Sequence, residues 1–171
     1  MPFLTPMGEI RNKSPDDVEE IGDLVKEGDS ALTWDIIWGG WEPPVHRADE
    51  YYTRALQLMR GRGIENKEAE YRACIGLAKF LTWVRHYEEA LPHSERAVQL
   101  EPVDGTSRYI RAYLYNKLGH FADGAMEWMQ AARFVEPGKL TFVYVRRAIT
   151  DLFWASLLQP SSVKFDVVKK K

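Results

Sequence analysis

The chain holds a single cysteine, Cys74, among 171 residues, so it cannot form an internal disulfide, and cysteine usage leaves the compartment open. No apolar run approaches the ~20 residues that a membrane-spanning helix requires. Neither charge dominates: 23 basic residues against 25 acidic ones give a net charge of −2, which offers no general attraction to nucleic acid or anionic lipid. The opening MPFLTPMGEIRNKS has neither the apolar core of a secretory signal nor the arginine-rich amphipathic character of a transit peptide. A soluble intracellular location is the expectation, with an organelle left open.

Chemistry-bearing clusters are equally sparse. His86, Glu89 and His93 recur at i, i+3 and i+7, wider than the i, i+4 histidine pair of zinc-binding helices, and no cysteine pair or third ligand joins them. Gly39-Gly40 and Gly61-Arg62-Gly63 lack the Lys-Ser/Thr of a phosphate loop. Cys74 sits where a buried helix residue belongs and reads as a small packed side chain rather than a nucleophile. The sequence therefore predicts no enzyme, no metal and no cofactor.

What the chain does have is an internal repeat. Tyr71–Pro102, ending HYEEALPHSERAVQLEP, lies over Gly105–Pro137, ending HFADGAMEWMQAARFVEP, at an interval of 34 residues, with one residue inserted before the second proline. A period of this size marks stacked helical hairpins. Small residues at Ala78, Ala90 and Ala97, and again at Ala112, Gly124 and Ala131, mark places where two helices cross closely. Leu77, Leu81 and Tyr87 in one unit, and Tyr115, Phe121 and Trp128 in the other, fill the spaces between hairpins. Gly119 suits a left-handed helix cap, and Pro102 and Pro137 stop the second helices.

These residues resemble the tetratricopeptide repeat family. Ala48, Tyr52 and Ala55 supply a third, degenerate copy beginning near Asp29, so the resemblance covers roughly residues 29–138. Three departures stand out. Ser94 replaces an aromatic, Cys74 replaces a tryptophan, and Pro92 falls inside a helix, where a lost backbone bond predicts a kink. The implied fold is all-α: a right-handed superhelix of antiparallel helical hairpins, about three units long, with an N-terminal helix and a C-terminal capping helix. The divisions are 1–28 for leader and first helix, 29–138 for the array, and 139–171 for the capping helix and an extended basic tail.

Element by element, 1–13 reads as an irregular leader. Ser14-Pro15-Asp16-Asp17 starts a helix and Gly28 ends it. A short helix with Trp34 and Trp38 follows, then a loop from Gly39 to Pro44. A helix over about 45–59 breaks at Gly61-Arg62-Gly63. Helices are predicted over 66–83, 87–100, 105–118 and 121–135. A last helix over 141–158 has no evident partner, and Gln159-Pro160-Ser161-Ser162 ends it.

The resemblance also implies a site. First helices line the concave groove of such arrays, which places Arg72, Ile75, Lys79, Thr82 and Trp83 there from one unit. The next unit adds Tyr109, Ile110, Tyr113, Asn116 and Lys117, and the capping helix adds Tyr144 and Arg147. Lys79, Trp83, Tyr109, Tyr113, Asn116, Lys117 and Tyr144 are the expected partner-binding residues. One subclass grips a terminal carboxylate of chaperones with Lys, Asn and Arg. The matching positions here are Thr33, Ile37, Gly76, Thr106 and Ile110, and none of them can do so.

The expected function is thus a non-catalytic module that binds a partner protein or peptide in its groove, as an adaptor or scaffold. A fixed subunit of a large assembly and a secretion-type chaperone are the alternatives. Charge is split along the chain. Residues 1–30 hold eight acids and three bases, and residues 139–171 hold seven bases and two acids. Head-to-tail self-association through the acidic N-terminus and basic C-terminus follows as an expectation beside simple solvation of both ends.

Overall fold

In a computed structural model of the chain, which describes residues 15–38, 47–134 and 138–158, these residues form seven helices and no strand. They are α1 (Pro15–Trp38), α2 (Ala48–Arg62), α3 (Lys67–Trp83), α4 (Tyr87–Leu100), α5 (Gly105–Lys117), α6 (Phe121–Phe134) and α7 (Lys139–Leu158). Each helix packs on the next in the chain, and α3 also touches both α1 and α5. Links of three or four residues between α3 and α4, α4 and α5, and α5 and α6 require these neighbours to run antiparallel. The leader with Ser14, the Gly39–Pro44 loop, Pro137 and the tail beyond Leu158 lie outside the described residues.

The small residues of the repeat are where the helices cross. Ala78, Ala90, Ala97, Ala112 and Ala131 are fully buried. A Cβ added at Gly124 would stand 3.3 Å from the Ala112 carbonyl oxygen, which fixes how closely α5 and α6 approach. Caps come from side chains at two first helices. Asn66 Oδ1 accepts the Ala69 N–H at 3.1 Å, and Asp104 Oδ2 accepts the Ser107 N–H at 2.5 Å. Burial acts to raise the Asp104 pKa, but donation from Ser107 and from the Tyr71 hydroxyl outweighs it, and the carboxyl ends below its ordinary value.

The 34-residue period extends to backbone hydrogen bonds in the turns. Val84, Arg85 and His86 donate to Phe80, Thr82 and Leu81. Leu118, Gly119 and His120 donate to Leu114, Asn116 and Tyr115 in the same way. The central residue is left-handed in both, with φ of 66° at Arg85 and 80° at Gly119.

Two boundaries and one packing partner differ from expectation. Gly28 does not end a helix, because α1 runs on to Trp38. Its missing side chain makes room for Tyr52 instead: a Cβ at Gly28 would lie 2.7 Å from the Tyr52 ring, and one at Gly76 would lie 2.2 Å from it. Tyr52 fills this slot between α1 and α3, fully buried, and its hydroxyl donates to Asp29 Oδ1 at 2.7 Å. The break expected at Gly61-Arg62-Gly63 is present but falls at its last residue, since α2 runs through Gly61 to Arg62. The left-handed cap falls at Gly63, with φ of 63°. The last helix is not without a partner, since α7 packs along α6 and buries Ala148, Asp151 and Ala155. At Pro92, α4 continues without interruption, with the ring on its exposed side.

Candidate functional site

Between α3, α5 and the α3–α4 turn lies a cavity of about 390 Å³. Lys79, Thr82 and Trp83 come from α3, and Tyr109, Ile110 and Tyr113 from α5. Arg85 of the turn and Tyr87 at the start of α4 close its rim. Its size falls at the lower end of small-molecule and side-chain pockets, ~300–1,000 Å³.

The walls follow from the helices. Lys79, Thr82 and Trp83 fall one turn apart on α3, so they share a face, and Tyr109 and Tyr113 do the same on α5. Tyr87 and Tyr113 meet edge to face with ring centroids 6.4 Å apart. The Lys117 ammonium sits 5.2 Å above the Tyr113 ring. Trp83 is braced from behind by Phe80, with centroids 6.3 Å apart. The floor is thus aromatic and aliphatic, and the charges at its edge are all positive. Among the described residues, neither Lys79, Arg85 nor Lys117 has a carboxylate within ion-pair distance.

Lys79, Trp83, Tyr109 and Tyr113, named from sequence, line one cavity, and Lys117 reaches it through Tyr113. The other two expected residues lie elsewhere. Asn116 Nδ2 donates to Asp151 Oδ1 at 2.6 Å in the junction of α5 and α7. Tyr144 is buried and packs against both Tyr109 and Trp128, at 5.7 and 5.5 Å, in a three-ring cluster. Asn116 is thus tied to α7, and Tyr144 lies behind Tyr109 against α6. Of the wider set, Ile75 is buried, and Arg72 is held by Asp29 at 2.5 Å.

Arg85 and Tyr87 were not legible as site residues from the repeat alone. For Arg85 a signal was present: it occupies the position where the second unit carries Gly119. An arginine held left-handed costs roughly 1–2 kcal/mol relative to the right-handed region. That strain sits at the rim of the cavity, where it aims a cation at whatever enters.

Other candidate chemistry stays bland. Burial pushes the Cys74 thiol up to about 11, so it is not a thiolate at neutral pH. His86 Nδ1 lies 3.3 Å from Glu89 on an exposed helix face. Burial, with Arg60 nearby, lowers the pKa of His93. No described helix is long and apolar enough to cross a membrane.

The acidic N-terminal segment is partly used within the fold. Arg62 pairs with Asp17 and Glu20, Arg54 with Glu20, and Arg72 with Asp29. The lysines that end the basic tail lie outside the described residues.

Comparison of the chain with family models, with curated proteins and with solved structures returns no match.

Proposed function

We infer that the chain is a non-catalytic protein-interaction module of the tetratricopeptide type, a right-handed array of helical hairpins, and that the cavity between α3 and α5 receives a partner segment. The observation that carries this reading is the convergence of Lys79, Trp83, Tyr109 and Tyr113 on one cavity. Aromatic walls supply most of the energy of an interface, and rim charges choose the partner. Tyr109, Tyr113, Trp83 and Ile110 suit an aromatic or aliphatic anchor. Lys79, Arg85 and Lys117 suit a carboxylate beside it. The segment is therefore acidic, with one bulky apolar residue set into the cavity.

Selection of a displayed random-peptide library on the immobilised chain tests this. Enrichment of Asp/Glu-rich peptides with a single aromatic or branched aliphatic residue, lost on Tyr113→Ala, is the expected result. Enrichment that survives both Tyr113→Ala and Lys79→Ala would contradict it.

A second reading, a fixed subunit of a larger assembly, has its own observation. α7 exposes Phe142, Ile149, Phe153, Trp154, Leu157 and Leu158, an apolar surface of the kind normally covered.

A further inference from the structure

The two ends of the helical stack are finished differently. The outer positions of α1 are polar, with Glu19, Asp23, Lys26, Glu27, Ser30 and Thr33 all exposed. That is how a stack of repeats normally meets water. α7 does the opposite. One stripe of it, Tyr144, Ala148, Asp151 and Ala155, is buried. At 3.6 residues per turn, the stripe through Phe142, Arg146, Ile149, Phe153 and Leu157 lies on the far side. Its apolar members are 70%, 62%, 58% and 57% exposed for Phe142, Ile149, Phe153 and Leu157. A helix apolar on opposite faces is one that is covered on both.

We propose that a second copy of this chain covers that stripe, with the two α7 helices packed antiparallel about a two-fold axis. The stripe is self-complementary about the midpoint between Ile149 and Thr150. Residues equidistant from that point meet across the axis: Phe142 faces Leu157, Ile149 faces Thr150, and Arg146 faces Phe153. Phe142 and Leu157 then meet an apolar partner and Ile149 a small one, and each pairing recurs on the other side of the axis, as an isologous contact requires. The one charge in the stripe, Arg146, meets an aromatic face, where a guanidinium is stabilised. No acid is needed, and none is exposed on α7 among its described side chains. A foreign acidic helix would leave this internal symmetry without a reason.

The interface is modest. Phe142 and Phe153, 70% and 58% exposed, together bring roughly 200–300 Å² from each copy, the exposed share of ~150–250 Å² per aromatic side chain. With Ile149, Leu157 and the flanking Trp154 it falls near the lower bound of specific interfaces, ~1,200 Å² in total. A concentration-dependent dimer results, driven by apolar burial and insensitive to moderate salt.

Sedimentation equilibrium of the full chain, from low micromolar to near-millimolar concentration, tests this. The mass should rise from 19.8 kDa towards twice that value. Phe153→Asp and Arg146→Glu, both at exposed positions, should each weaken the dimer about tenfold or more, with unchanged helical circular dichroism. Glu19→Lys and added salt should not. Ile149→Cys, close to the axis, should cross-link to its copy on oxidation. A monomer at every concentration overturns the proposal and leaves α7 to a foreign helix or to residues 159–171. A dimer untouched by both α7 substitutions, or dissolved by salt or by Glu19→Lys, also overturns it and moves the contact to the charged ends.

Discussion

The indole Nε1 of Trp128 donates to Oδ2 of Asp151 at 2.9 Å, at a point where α6 and α7 are both sealed from water. Asn116 Nδ2 donates to the other carboxylate oxygen at 2.6 Å, so one acid ties three helices together. Burial drives its pKa above the ordinary value, and donation from Trp128 and Asn116, with Arg147 nearby, offsets only part of that. Asp151→Ala should cost ~1–3 kcal/mol, because the buried indole N–H loses its partner. Asp151→Asn should cost less, since Asn116 can turn its amide and both bonds survive. Chemical denaturation of the two variants ranks these outcomes.

The same acid sets a pH dependence with a definite sign. Its folded pKa is raised, so the folded state takes up a proton before the unfolded chain does. Stability attributable to Asp151 therefore rises as pH falls through the folded pKa towards the ordinary carboxylate value. Asp104 behaves oppositely. Its pKa is lowered, so its contribution is present above the ordinary value and is lost as pH falls through the folded pKa. The melting-temperature difference between the natural chain and Asp151→Asn isolates the first effect. It should grow in favour of the natural chain on going from neutral to mildly acidic pH.

Tyr52 fills a slot cut by two glycines, and a methyl at Gly76 would meet its ring at 2.2 Å. Gly76→Ala should destabilise by ~1–3 kcal/mol, the usual cost of overpacking. In a Tyr52→Leu background the same substitution should cost distinctly less, because the obstructing ring is gone. Equal costs in both backgrounds would mean the ring does not set the spacing of α1 and α3.

Arg85 combines a left-handed backbone with a place on the cavity rim. Arg85→Gly relieves the left-handed conformation and should stabilise the fold by about 0.5–1 kcal/mol, after allowing for the greater freedom of glycine when unfolded. It should also weaken capture of an acidic segment several-fold, through loss of a rim cation. A gain in melting temperature with unchanged affinity would remove Arg85 from the site.

Much of the architecture was legible because the repeat encodes it twice. Ala78, Ala97, Ala112 and Ala131 mark crossings, and Gly119 marks a turn, whatever the rest of the chain does. The boundaries of α3 to α6 fall within about one residue of those expected. The misread Gly28 shows where local rules stop. Gly28 looks like punctuation, as Gly63 is, yet it is set by a ring that arrives from α2, a contact with no local signature. The cavity was legible at Lys79, Trp83, Tyr109 and Tyr113 because those positions repeat. Asn116 and Tyr144 lie outside the cavity lining, the first bonded to Asp151 of α7 and the second buried against Trp128 of α6. Nothing in the spacing of Asn116 announces Asp151 as its neighbour, or in that of Tyr144 the ring of Trp128.

The most direct test of the binding role is calorimetric titration of the tightest library-selected peptide into the natural chain, Tyr113→Ala and Gln99→Lys. Tyr113 lines the cavity and Gln99 is exposed on α4. Truncating a buried aromatic anchor typically costs ~2–4 kcal/mol, so Tyr113→Ala should lower affinity at least tenfold with helicity and melting temperature nearly unchanged. Gln99→Lys should bind as the natural chain does. Undiminished binding by Tyr113→Ala, with loss on Gln99→Lys, would place the partner on the outer face and contradict the account.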